Sequence, residues 1–225
     1  MFIGACAQSI FVNRRVIKYS VIVMVNKIHS DYECPVDIVL LEFIETHIEM
    51  YYRMGITPNM ITTASIVAGV LSAYCIMLGR YWVAGILFMV AYYFDCADGK
   101  VARQFGQVTV FGDYYDHFGD LFKVVAVTAA LYVTNSERFK MAAIVIILLS
   151  AGMGIHLGCQ EMLHDRTPNP QIIVPDKTSS FLSINTWLVP SECNPQELIR
   201  FSRHLGCGTF NFAIALIIFF WRAKK

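Results

Sequence analysis

The chain has 225 residues, a formal net charge of +1 and 56% apolar residues, with a mean hydropathy of +0.51. Soluble domains of this size carry about 25% charged residues; here the share is 16%, and the near-neutral balance gives no basis for nucleic-acid binding. Seven scattered cysteines without CxxC spacing exclude a disulfide framework and a zinc site, and read as small apolar fillers.

Residues 1–30 are the least interpretable part. The uncharged MFIGACAQSIFV precedes Arg14, Arg15 and Lys18, the reverse of a secretory signal. CPVDIVLLEFIETHIEMYYRMG then predicts an amphipathic helix at the membrane surface, opened by Pro35. Asp37, Glu42, Glu45, Glu49 and Arg53 form its polar stripe, and Ile38, Leu41, Ile44, Ile48 and Tyr52 the apolar one. Thr57 and Pro58 predict the cap and first turn of a spanning helix. From Asn59 to Gly79 there are 21 residues without charge, enough to cross the ~30 Å hydrocarbon core. Further apolar runs cover Tyr81–Phe94, Phe111–Thr134, Met141–Gly158 and Leu205–Trp221. QFGQVT and NSERFK read as loops, HLGCQE as the end of the fourth span, and 162–203 as a long proline-bearing loop in which FLSINTWLV touches the membrane. The fold class is therefore all-α: a polytopic transmembrane bundle of five to six spans over 57–225, preceded by a 1–56 segment with an interfacial helix. With a cytoplasmic N-terminus, eleven basic residues fall on that side and six on the other, with Lys123 inside a span. That bias turns the chain's acidic stretch to the cytoplasm.

The acidic stretch, FDCADGKVARQFGQVTVFGDYYDHFGDLFK, interrupts this apolar chain. At 100° per residue Asp95, Asp98, Gly99, Ala102 and Arg103 share one helix face, about 140° wide. Gly112, Asp116 and Asp120 share a face of the next helix, with Asp113, Gly119 and Lys123 on or beside it. An ionised side chain at the centre of a span costs about 2.5–3.5 kcal/mol on insertion scales, and converging carboxylates repel, so something cationic must sit among them. Oxygen-only ligands favour Mg²⁺, Mn²⁺ or Ca²⁺ over zinc. Two divalent ions would balance Asp95, Asp98, Asp116 and Asp120, and paired ions suit in-line displacement at phosphorus.

The spacing reads D-x2-D-G-x2-A-R-x8-G-x3-D-x3-D, with Asp95, Asp98, Gly99, Ala102, Arg103, Gly112, Asp116 and Asp120 at the fixed positions. Here the chain resembles the CDP-alcohol phosphotransferase family, over about Thr57 to Thr134 and including the opening TPN. The resemblance implies six spans, one more than the apolar runs supply. It implies that a CDP-linked alcohol gives its phosphoryl-alcohol unit to a second alcohol with release of CMP. Asp95, Asp98 and Asp116 would bind Mg²⁺ or Mn²⁺, and Asp120 would assist and act as general base. Gly99 and Ala102 would admit the nucleotide close to the backbone, and Arg103 would grip phosphate. Asn59 and Thr63, on one face of the first span, are further candidates for the nucleotide. Lys123 is either a counter-ion to the acids or a phosphate or headgroup ligand. Asp113 fits a helix N-terminus, and His117 and Lys100 point away, Lys100 toward lipid headgroups. His156 and Gln160 fit an interhelical hydrogen bond better than an acceptor contact, and Arg200 and Arg203 a membrane surface.

The short chain favours CDP-diacylglycerol as donor. The DGK and DH around the acids leave CDP-choline or CDP-ethanolamine with diacylglycerol as the alternative. The implied partners are membrane lipid, donor and acceptor alcohol, with a homodimer left open. The implied location is the endoplasmic reticulum of a eukaryote or the inner membrane of a bacterium. A divalent-cation transporter or channel would also explain intramembrane carboxylates, but it needs neither Arg103 nor the G-x2-A-R spacing. A binding scaffold that has lost catalysis does not fit four retained aspartates.

Overall fold

A computed structural model describes residues 30–166, 183–190 and 193–223. The readings of residues 1–29, of Pro168, Pro170 and Pro175, of Phe181 and Leu182, and of the basic residues Lys177, Lys224 and Lys225 lie outside the described residues. The elements among the described residues are all helices: α1 (Pro35–Glu45), α2 (Ile48–Arg53), α3 (Pro58–Met77), α4 (Tyr81–Gln104), α5 (Val110–Thr134), α6 (Ser136–Arg166), α7 (Ser183–Thr186), α8 (Pro195–Ser202) and α9 (Cys207–Phe219).

The amphipathic segment is two helices rather than one. Thr46 turns its hydroxyl back to the Phe43 carbonyl at 2.7 Å, and the break frees His47 to hydrogen-bond Tyr93 of α4. Ile44 and Ile48 are buried against Ile61, Ala97 and Val101, so the apolar stripe rests on the bundle. Val39, Phe43 and Met50 stay exposed on the opposite side. Asp37 departs from its expected place in the exposed stripe. It is buried, accepts a hydrogen bond from Tyr92 and meets the backbone of Gly208 at the start of α9. Burial raises its carboxyl above the ordinary range, which the Tyr92 hydroxyl and the Gly208 N–H partly offset. Asp37→Ala strands the Tyr92 hydroxyl in the interior. It is expected to lower stability by about 1–3 kcal/mol, read as a lower Tm in detergent, with Tyr92→Phe in the same chain recovering part of the loss.

Thr57 caps α3 as expected, its Oγ1 accepting from Met60 N at 3.4 Å. α3 lies against both α4 and α5. Two buried serines fasten it to α4: Ser65 donates to the Ala91 carbonyl and Ser72 to the Ala84 carbonyl, each at 2.8 Å. α4 runs unbroken through the acidic stretch to Gln104. The turn to α5 needs a left-handed residue, supplied by Gly106 at φ +63°, and Thr109 caps α5 through Gly112 N at 3.0 Å. The main core joins Ala73 and Ile76 of α3, Phe88 of α4, Leu131 of α5 and Ile214 and Ile218 of α9.

Two element boundaries differ from expectation, at NSERFK and in the last apolar run. NSERFK is not a loop: Asn135 alone separates α5 from α6, because its side-chain oxygen accepts from Arg138 N at 3.1 Å and caps a helix that begins at Ser136. The fourth span ends close to HLGCQE, at Leu163, while its helix α6 continues to Arg166. The last apolar run is helical only over the 13 residues of α9, about 20 Å of rise. It reaches spanning length only when α8 and the 3-10 turn Arg203–Leu205 are joined to it. Among the described residues, four units are long and apolar enough to cross a membrane: Pro58–Met77, Val110–Thr134, Ser136–Leu163 and Pro195–Phe219. α4 is a fifth long helix whose second half carries the charges. The chain is an integral membrane protein.

Candidate active site

The site forms where the charged half of α4 meets the first half of α5, with α3 behind them. The helical periods of 95–103 and 112–120 bring Asp95, Asp116 and Asp120 together. One carboxylate oxygen from each lies within 4.8 Å of the other two. They are unequal in exposure: the Asp95 side chain is 18% exposed and that of Asp120 48%. Asp116 keeps one buried oxygen, Oδ1, with no hydrogen-bond partner.

Asp98, one turn beyond Asp95, stands outside this group. It is buried, and Thr62 of α3 donates to its Oδ2 at 2.5 Å. Lys123 reaches back from α5 as the acids' counter-ion. Its Nζ lies 2.5 Å from Asp95 Oδ1, 2.9 Å from Asp120 Oδ1 and 2.6 Å from Ser65 Oγ. The lysine stem crosses α3 at Gly69, where an added Cβ would stand 2.6 Å from Lys123 Cγ. Thr62, Ser65 and Gly69 were not legible as site residues. They belong to an apolar span with no motif, and only the packing of α3 on α4 and α5 brings them in.

Arg103 folds its guanidinium over Gly99: an added Cβ there would lie 3.1 Å from Nη1 and 3.4 Å from Nη2. Its Nε is buried without a partner, and Glu33 lies within Coulombic reach. The space above Gly99 thus belongs first to the arginine. Gly99→Leu is expected to displace that head group, so CDP-donor affinity falls sharply while Mn²⁺ affinity changes little. Calorimetry with both ligands, beside a thermal melt, checks this; a folded variant with wild-type donor affinity refutes it. The Ala102 carbonyl accepts from Gln107 N at 2.8 Å and closes the turn. Asn59 lies against the α5 N-terminus, its Oδ1 3.1 Å from where a Gly112 Cβ would be. Thr63 hydrogen-bonds the Tyr115 hydroxyl at 3.0 Å.

Other predicted positions separate. His117 lies off the acidic group, its Nδ1 3.6 Å from Asp113 Oδ1 and 2.7 Å from the Asp113 carbonyl. Lys100 does not reach out to lipid headgroups: it is 1% exposed and pairs with Glu45 of α1 at 3.4 Å. His156 and Gln160 meet at 3.0 Å, and His156 reaches Ser202 of α8 at 3.3 Å. Arg203 donates to the Asp31 carbonyl, and Arg200 is exposed.

The donor set fits a hard divalent cation. Three carboxylates converge, no imidazole or thiolate belongs to the group, and the Asp116 oxygen lacks a protein partner.

The sequence profile of the CDP-alcohol phosphatidyltransferase family matches residues 55–221. An archaetidylinositol phosphate synthase of Pyrococcus horikoshii is 36% identical over 63 residues, which cover 28% of this chain and 34% of that protein. The chain thus spans about a third of the length of that curated relative. No solved structure matches the chain.

Proposed function

The chain belongs to the CDP-alcohol phosphatidyltransferase family, and from that premise we propose that it transfers a phosphatidyl-type group from a CDP-linked lipid to an acceptor alcohol in phospholipid synthesis. The observation that carries the reading is the meeting of Asp95, Asp116 and Asp120 beside Arg103, in a chain otherwise too apolar to hold charge at that depth.

Asp95, Asp98, Asp116 and Asp120 are the residues to hold Mg²⁺ or Mn²⁺, two ions by their charge. Such ions, when bound, neutralise a diphosphate and the charge that develops on the leaving nucleotide. Thr62 fixes the Asp98 carboxylate, so this acid enters pre-oriented. Arg103 grips phosphate with its planar fork, and Gly99 and Ala102 leave the backbone open beside it. Asn59 and Lys123 add polar contacts toward the nucleotide and phosphate. Asp120, more exposed than Asp95, takes the proton of the attacking hydroxyl. A bond then forms between that oxygen and the phosphorus carrying the lipid, the bond from phosphorus to the CMP oxygen breaks, and CMP leaves with the electron pair. The basic-residue bias sets this end of α4 toward the cytoplasm, where soluble CMP can depart.

The relative's name makes a phosphorylated polyol the first acceptor class to test and a CDP-linked lipid the first donor. CDP-diacylglycerol with inositol phosphate, glycerol phosphate, inositol or serine should be compared with CDP-choline and CDP-ethanolamine plus diacylglycerol. CMP release by purified protein, with Mg²⁺ or Mn²⁺ and with EDTA, is the readout. Repeated in sealed vesicles of each orientation, the assay also reports the side of the site. Metal-independent release, or none with any donor, would overturn the reading.

A further inference from the structure

Lys123 is placed with more care than a passing counter-ion requires. Its ammonium is held by three groups on three helices, Asp95 of α4, Asp120 of its own helix and Ser65 of α3, at 2.5, 2.9 and 2.6 Å. The side chain is buried. Gly69 removes the one Cβ that would stand in the path of its stem, and Ser65, one turn earlier on α3, receives the head. Ser65 itself is anchored on the Ala91 carbonyl at 2.8 Å. Asp116, by contrast, makes no ion pair with this lysine among the described contacts and keeps a buried oxygen unpartnered.

We propose that Lys123 is a resident cation that must leave Asp95 and Asp120 before they can ligate a divalent ion, which makes ion binding conditional on the nucleotide diphosphate. The proposal rests on the reading of the acids as a metal site. Without nucleotide, the ammonium neutralises part of the acidic group and keeps the carboxylates converged despite their mutual repulsion. An incoming cation competes with it for the same oxygens. A lysine head on a flexible four-carbon stem can pivot while its Cα stays in the helix, and a diphosphate arriving with the ion offers the displaced ammonium a new anionic partner. The affinities for ion and nucleotide are then coupled, and coupling is reciprocal. The device guards against a futile state in which ions occupy the site with no donor to act on.

The test measures Mn²⁺ binding by calorimetry and Mn²⁺ electron paramagnetic resonance, on detergent-purified full-length protein, with and without saturating CDP. Wild-type protein is expected to bind Mn²⁺ weakly alone and about tenfold or more tightly with CDP. Lys123→Met is expected to bind Mn²⁺ alone about tenfold or more tightly than wild type, through loss of an adjacent positive charge, and to lose most of the CDP dependence. Gly69→Ala separates position from charge: it keeps the lysine but blocks its path, and is expected to move both quantities the same way by a smaller factor. It also carries the test should Lys123→Met not fold, with a thermal melt as the check. Unchanged Mn²⁺ affinity in Lys123→Met overturns the proposal. So does a gain confined to Lys123→Met with Gly69→Ala at wild-type values, which would make it a matter of net charge alone. No Mn²⁺ binding by wild type even with CDP removes the metal reading itself, a result distinct from either.

Discussion

Asp120→Asn is expected to lower CMP release by about 10²–10⁴-fold, the usual worth of a general base, while CDP-donor affinity stays close to wild type. The amide keeps the size of the carboxylate and still offers an oxygen to Lys123, so the surroundings should hold. What it lacks is the capacity to take a proton. Asp120 suits the role by position: its side chain is 48% exposed, against 18% for Asp95, leaving room for a hydroxyl to approach. Steady-state CMP release and equilibrium donor binding on the same preparation check it. A full-rate variant removes the base assignment, and equal loss of binding and rate makes Asp120 a metal ligand first.

The second large effect is expected at Asp116. Asp116→Ala should weaken Mn²⁺ binding by at least about 100-fold, since even residues that only orient a metal ligand are worth about 10–100-fold. Metal-dependent nucleotide binding should disappear with it. Asp116 has an oxygen with no protein partner, so its loss breaks no visible structural bond and the variant should melt near the wild-type temperature. Asp98→Ala is the contrasting case. Its carboxylate accepts from Thr62 at 2.5 Å, so removal breaks a buried hydrogen bond, leaves the Thr62 hydroxyl only the Pro58 carbonyl at 3.2 Å, and should cost stability as well as affinity. Calorimetry and melting of both variants distinguish the two; unchanged Mn²⁺ affinity in Asp116→Ala would sink the metal assignment.

The sequence made one layer of this site readable and hid another. The faces of α4 and α5 follow from helical period, so Asp95, Asp116, Asp120 and Lys123 could be put on converging surfaces without coordinates. Thr62, Ser65 and Gly69 could not, because the rotation of α3 about its axis is fixed by packing against two neighbours and leaves no charge pattern in the chain. Lys100 was misread for a related reason: its angle on α4 was right, but Glu45 of α1 covers that side. The break at Thr46 carries neither Gly nor Pro, the usual local signals, and rests on a side-chain hydrogen bond. NSERFK looked like a loop through its charges, whereas Asn135 acts there as a cap. The apolar run Leu205–Trp221 overstates α9 because hydropathy extends two residues beyond the helix at each end.

Among the described residues, the groups that hold the four aspartates lie between Pro58 and Thr134, on three consecutive helices joined by short turns. The chain is made from its N-terminus, and its parts can settle as they emerge. The acids, their lysine and the serine and threonine that fix them are therefore all out of the ribosome while α6 to α9 are still being synthesised. The charged halves of α4 and α5 need not wait in lipid for a distant partner, since their compensating groups enter the membrane with them. The later helices then pack onto a three-helix unit in which Lys123 already balances part of the acidic charge.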